Sequence, residues 1–285
     1  MPTINRVTTD EVSFLKSLTS IDKPINYLYC IGELPADGVP AVAIVGSRKP
    51  TDYGRAVAFK LAHDLAAKGV TIVSGLALGI DGEAHRGALA AGGKTIAVMA
   101  HGLDSVYPAS HRGLALSIVQ SGGALLSEYP AGTPPQKHSF IARNRIISAI
   151  GDMLAIVEAG SRSGTLSTAG FALEQGKPVG AVPGNINSPM SAGCHNLIKQ
   201  GARLLTSADD ILDELGLDQI KSRPMIFGDT PAEEAILQLM RQGLNDGDEL
   251  LLKSRLEPAM FSQSLSLLEI KGLIRPLGSN HWRLT

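Results

Sequence analysis

Three stretches of this sequence place basic and hydroxyl side chains beside glycine at spacings that suit an anion. Gly46, Ser47, Arg48, Lys49 and Pro50 follow an apolar run, and a backbone N–H, a hydroxyl and a guanidinium there can hold a phosphate. Gly160, Ser161, Arg162, Ser163, Gly164 and Thr165 follow a second apolar run and open a helical pattern. Small hydroxyls at a helix start, where backbone N–H groups are free, make an anion cradle. The third stretch holds Lys137, Phe140, Arg143, Asn144 and Arg145, with no acidic residue between Glu128 and Asp152. Helical spacing puts Phe140, Arg143 and Asn144 on one side. A basic segment with one aromatic can hold a phosphate chain and stack a base. Each stretch also has an ordinary reading: a tight turn with a surface arginine, capping by Ser163 or Thr165, and a solvated helix with Phe140 in the core.

Other patterns carry less. Residues 74–81 resemble a nucleotide-binding turn without its glycine spacing. Asp81 there reads as a helix cap, with Glu83 and His85 as surface neighbours. Gly92, Gly93, Lys94 and Thr95 look like the end of a phosphate-binding loop, but Ala88 stands where the first glycine belongs, and the stretch precedes a strand. Cys194 and His195 are sequence neighbours, a poor arrangement for a thiol–base pair.

The elements that must position these residues alternate regularly. Apolar runs at 41–47, 70–75, 95–100, 123–128, 153–159 and 178–183 read as buried strands. Helical spacings fill 53–68, 82–91, 111–120, 140–150 and 165–175, and a last helix–strand–helix unit occupies 196–200, 203–205 and 209–215. The expectation is an α/β fold with a doubly wound, mostly parallel, Rossmann-like sheet. Ligands dock at the carboxyl edge of such sheets, where these loops converge. Residues 1–40 read as a short N-terminal extension with a helix at 10–18, residues 41–215 as the sheet domain and 216–229 as a linker. Residues 230–285 read as a small winged-helix domain of three helices and two strands. Its third helix has no excess of Lys or Arg, so a protein partner suits it at least as well as duplex DNA.

Composition bounds the rest. The 285 residues carry 26 Lys plus Arg against 27 Asp plus Glu, which excludes a uniformly basic protein. Aromatic residues are 4%, too few for a surface of many stacking platforms. Two cysteines, no zinc-ligand spacing and no apolar run of about 18 residues lead us to expect a cytoplasmic protein without membrane contact.

In order, AVAIVGSRKPTDYG, IVSGLALGIDGEAH, KHSFIARNRIISAI and VEAGSRSGTLSTAGFALEQGKPV closely resemble the DprA/Smf family of DNA-processing proteins, over residues 21–215. The resemblance implies an extended Rossmann-like domain that binds single-stranded DNA without sequence preference, forms a homodimer, and loads a RecA-type recombinase during natural transformation. It implies neither cofactor nor catalysis. The family's DNA pocket falls on Ser47, Arg48, Lys137, Phe140, Arg143 and Asn144, and its phosphate loop on Ser161 to Thr165. Gly193, Cys194, His195 and Asn196 carry an apparent one-residue insertion against the family pattern. The sequence also resembles lysine-decarboxylase-like phosphoribohydrolases, whose motif is PGGxGTxxE. Thr168 stands where their glutamate would, which favours binding without chemistry, with a nucleotide enzyme or sensor as the alternative.

Overall fold

Strands β1 (Asn5–Thr8) and β2 (Tyr27–Gly32) come first in the chain, joined through a 3-10 turn at Ser13–Thr19. They pair antiparallel with each other, and β2 pairs antiparallel with a later strand, so both extend the sheet. Residues 1–40 are therefore not a separate helical extension: the first two strands are built into the sheet. β1 shows no apolar run because it is an edge strand with mostly exposed, polar residues; β2, YLYCIG, does carry one, and buries Leu28, Cys30 and Ile31. In place of the expected helix, the turn at 13–19 buries Leu15 and Leu18.

The alternation then proceeds through β3 (Ala41–Val45), α1 (Asp52–Ala67), β4 (Thr71–Ser74), α2 (Ile80–Ala90), β5 (Thr95–Met99), α3 (Arg112–Gln120), β6 (Ala124–Ser127), α4 (Lys137–Ile150), β7 (Met153–Ile156), α5 (Thr165–Glu174), β8 (Val179–Ala181), α6 (Ala192–Lys199), β9 (Arg203–Leu204) and α7 (Ala208–Glu214). This computed structural model describes residues 3–217, 230–241, 244–271, 273–278 and 280–284. Every residue of β3 to β8 is buried, as two-sided apolar runs require when helices cover both faces. One face carries α4, α5 and the 3-10 turn, with Ile146, Ile150, Ala169 and Leu18 in the core. The other carries α1, α2 and α7, with Leu61, Leu65, Ala84 and Ile211.

The sheet order is β1-β2-β6-β5-β4-β3-β7-β8-β9, and β3 to β9 run parallel. The chain moves outward from β3 through β4, β5 and β6, then returns to place β7 on the other side of β3. That reversal opens a crevice above the carboxyl ends of β3 and β7. The loops that leave those two strands are 46–51 and 157–164, the stretches that carry the glycine–hydroxyl–arginine patterns.

A second compact unit spans Ser222–Thr285, against Met1–Lys221 for the first. It contains α8 (Pro231–Arg241), α9 (Gly247–Ser254), α10 (Pro258–Ile270) and the antiparallel pair β10 (Ile274–Gly278) and β11 (His281–Leu284). Ile236, Leu250, Phe261, Leu265 and Leu268 form its core. Most of the expected linker, 218–229, lies outside the described residues.

One buried histidine gives the first unit a pH dependence. His85 is fully buried on α2, and Thr95 Oγ1 lies 2.7 Å from its Nδ1. That hydroxyl donates to Ile72 O at 2.7 Å, so it must accept from Nδ1–H, and Nε2 has no hydrogen-bond partner. Burial first, then His111, Arg143 and Arg86, push the His85 pKa down from 6.5 to about 3. The unfolded chain therefore binds the extra proton between those values. The stability this neutral histidine contributes is complete above pH 6.5 and is lost as pH falls from there toward 3. We expect His85→Asn, which keeps a donor near Nδ1, to flatten the acid limb by about 1.4 kcal/mol per pH unit in urea unfolding. An unchanged limb would remove His85 as its source.

Candidate nucleic-acid interface

The loop after β3 is fixed from three sides. Ser47 N donates to Glu158 O at 2.8 Å, Lys49 N donates to Ser47 Oγ at 3.1 Å, and Ile80 N donates to Ser47 O at 3.1 Å. The last bond needs the start of α2 to press on this loop. Gly79 allows it: its φ is +82°, and a Cβ there would lie 2.3 Å from Ser47 O. Thr51 caps α1 by accepting from Gly54 N. Glu158, in the loop that leaves β7, in turn accepts from Thr51 N at 2.9 Å and from Thr51 Oγ1 at 2.5 Å. With Ser47 buried and Pro50 buried, Arg48, Lys49 and Thr51 are the exposed residues of the loop, and the first two carry its charge.

Arg48 reaches over Phe140 on α4, its guanidinium carbon 5.1 Å from the ring centroid. The Tyr107 ring stands 5.5 Å from the Phe140 ring, tilted by 51°. Phe140 is half-buried, so one aromatic face is braced from two sides and still reachable. Across the crevice, α5 begins at Thr165. Ser163 Oγ accepts from Thr165 N at 3.2 Å and donates to Thr165 Oγ1 at 3.0 Å, a local cap at the helix start. Gly46, Ser47, Arg48, Phe140, Asn144, Ser163, Gly164 and Thr165 thus line one cleft of about 400 Å³.

Three of the sequence-predicted residues take a different place. Lys137 and Ser161 are exposed and stand outside the lining of the cleft. Lys137 is the first residue of α4, which starts three residues earlier than the spacing predicted. Arg143 reaches the cleft, but it is 3% exposed and its guanidinium is committed to the protein. It donates to Gly75 O at 2.7 Å and to Val98 O. Asp81, also buried, stands close enough to oppose the fall in its pKa. Burial lowers the Arg143 pKa to about 10, so it stays charged at neutral pH. Asp81 accepts from Gly75 N at 3.1 Å. Burial raises the Asp81 pKa, and Arg143 is the largest opposing influence. Asp81 is therefore a buried carboxylate under the influence of the Arg143 charge, bonded to Gly75 N and making no salt bridge to the guanidinium, rather than a cap with surface neighbours. Gly75 is the hinge of this pair, since a Cβ there would sit 2.4 Å from the guanidinium.

Arg145, the other cation of the acid-free stretch, pairs with Glu128 at 2.6 Å and donates to Lys23 O at 3.1 Å. The basic segment is thus mostly consumed by structure. Arg48, Lys49, Lys137 and Arg162 are the exposed cations on these loops and on the first turn of α4. Sequence reasoning missed Tyr107, which follows β5 in an irregular stretch with no period to mark it. It also missed the Asp81–Arg143 pair, whose members are 62 residues apart in the numbering. Cys194 is buried, and burial raises its pKa to about 11, which suits an inert thiol.

Comparison with known proteins gives these features a setting. Protein Smf of Escherichia coli is 44% identical over 236 residues, covering 82% of this chain and 63% of its own length. The DNA processing protein DprA of Bacillus subtilis is 41% identical over 213 residues, covering 74% of this chain and 71% of its own. The structure of DprA from Streptococcus pneumoniae superposes with a TM-score of 0.69 at 40% identity, over 74% of each chain. DNA processing protein A from Helicobacter pylori, whose structure is described for its single-stranded DNA binding mode, gives 0.66 at 33% identity over 76% of this chain and 99% of that one. The model of the DNA recombination-mediator protein A family matches residues 5–216, and the chain belongs to that family.

Proposed function

We propose that this protein binds single-stranded DNA at the crevice between the β3 and β7 loops. It would protect the strand and pass it to a RecA-type recombinase, working as a homodimer in the cytoplasm and without catalysis. The observation that carries the reading is Arg48 poised over a half-buried Phe140, facing the hydroxyl-rich start of α5. A guanidinium and the small hydroxyls at the start of α5 suit phosphates, and an aromatic face suits any base. Duplex DNA keeps its bases stacked and offers Phe140 nothing. The single-strand binding mode of the Helicobacter pylori relative supports the same ligand. Against hydrolysis, Thr168 lines the cleft where a carboxylate would serve, and Asp81 is buried and accepts from Gly75 N. The small unit, with its three helices and hairpin, would be a winged helix that contacts a protein partner.

A mobility-shift assay with single-stranded and duplex oligonucleotides tests this. Single strands should bind more tightly. Phe140→Ala should weaken that binding by about 1–3 kcal/mol, the worth of one stacked base. Duplex preference, or full affinity in Phe140→Ala, would count against the reading.

A further inference from the structure

A second cavity of about 470 Å³ opens on the far side of the β3 loop, lined by Thr51, Tyr53, Glu158, Asn185, Ser188 and Ser191 among others. Glu158 is 2% exposed, yet among the described residues no cation pairs with it. Its two oxygens are each held once, by Thr51 N and Thr51 Oγ1, which leaves acceptor capacity toward the cavity. A buried carboxylate in that state favours a ligand that brings N–H donors. Tyr53 is 49% exposed, and its hydroxyl donates to Pro183 O at 2.8 Å, which fixes the ring at the cavity wall. No Lys, Arg or His lines the cavity, so it is no phosphate site.

We infer that this cavity accepts a nucleobase with an exocyclic amine, cytosine, adenine or guanine but not thymine, from the strand whose backbone lies in the neighbouring cleft. The exocyclic amine would donate to Glu158, the ring would lie against Tyr53, and Asn185 and Ser188 would meet the remaining polar edge. The two sites share a wall: Glu158 O accepts from Ser47 N, and Thr51 stands three positions beyond Arg48. Thymine turns a carbonyl toward the carboxylate where cytosine turns an amine. The inference rests on the single-strand reading and adds a local preference to it.

The test compares oligo-dC with oligo-dT of equal length, at the same salt in a slightly alkaline buffer. Wild-type protein should prefer oligo-dC by on the order of fivefold, the low end for a hydrogen-bonded base edge. The ratio should fall to about one in Tyr53→Ala and, independently, in Glu158→Gln. Equal binding of both strands by wild type, or a preference that survives both substitutions, overturns the inference and leaves the single-strand reading intact. Failure to bind either strand would sink that reading and this one together. Free cytidine should not displace bound oligo-dC at concentrations comparable to the strand. Displacement by free cytidine, with no preference between the strands, would assign the cavity to free nucleosides and overturn the strand-base assignment.

Discussion

Alanine at both Arg48 and Lys137 is expected to weaken single-strand binding by roughly a hundredfold at moderate salt, from two lost charge-assisted contacts of about 1.5 kcal/mol each. Arg48 supplies the larger share, because its loss removes a phosphate donor and the cation over Phe140 together. The salt dependence should change as well: each lost phosphate contact lowers the slope of log K against log salt by about 0.7. Both side chains are exposed, and neither has an ion-pair partner among the described residues, so the melting temperature should stay close to wild type. Lys49→Ala makes the internal control for Arg48, since Lys49 is exposed on the same loop but does not line the cleft; Lys137 does not line it either, and is chosen because it stands one helical turn before Phe140 on α4. Equal losses from Lys49 and Arg48 would mean that a diffuse field, not this cleft, holds the strand.

Arg143→Ala should do something different: it should unfold the first unit more easily. Removing the guanidinium leaves Asp81 buried without its cation, and Gly75 O and Val98 O without their donor. Two buried carbonyls left without their charged donor, and a buried carboxylate left without the nearby positive charge, together cost about 3–5 kcal/mol. A denaturant titration should show the midpoint moving down with little change in slope. Replacing both members, Arg143→Met with Asp81→Leu, should recover a large part of that loss, because apolar residues of similar size need no compensating charge. If Arg143→Ala kept its midpoint and lost only DNA affinity, Arg143 would be a direct DNA contact and its placement here would be wrong.

These two predictions separate residues that the sequence alone treats alike. Lys137, Arg143 and Arg145 read as one basic segment, because an acid-free run shows charge but not burial. The partners that divide them, Asp81 for Arg143 and Glu128 for Arg145, come from other segments and meet them only once the sheet is formed. The parallel strands were legible because burial on both faces leaves a continuous apolar run, as in 41–45 and 153–156. The outermost strand was not, because β1 faces solvent over most of its length and its short polar run matches no pattern. The position of the site was legible for a topological reason. A doubly wound order must reverse somewhere, and the glycine–hydroxyl loops flank the two strands where it does. Tyr107 was not legible, since its meeting with Phe140 depends on the path of an irregular segment.

A strand held in the β3–β7 crevice would lay a base against Phe140. Photo-crosslinking of a bromouracil-substituted single strand, followed by peptide mapping, tests it most directly. Crosslinks should fall on the peptide that carries Phe140, with Tyr107 as a second position, and should disappear with Arg48→Ala. Crosslinks confined to α8–α10 or to the β1 edge, with that peptide unmodified, would contradict the account.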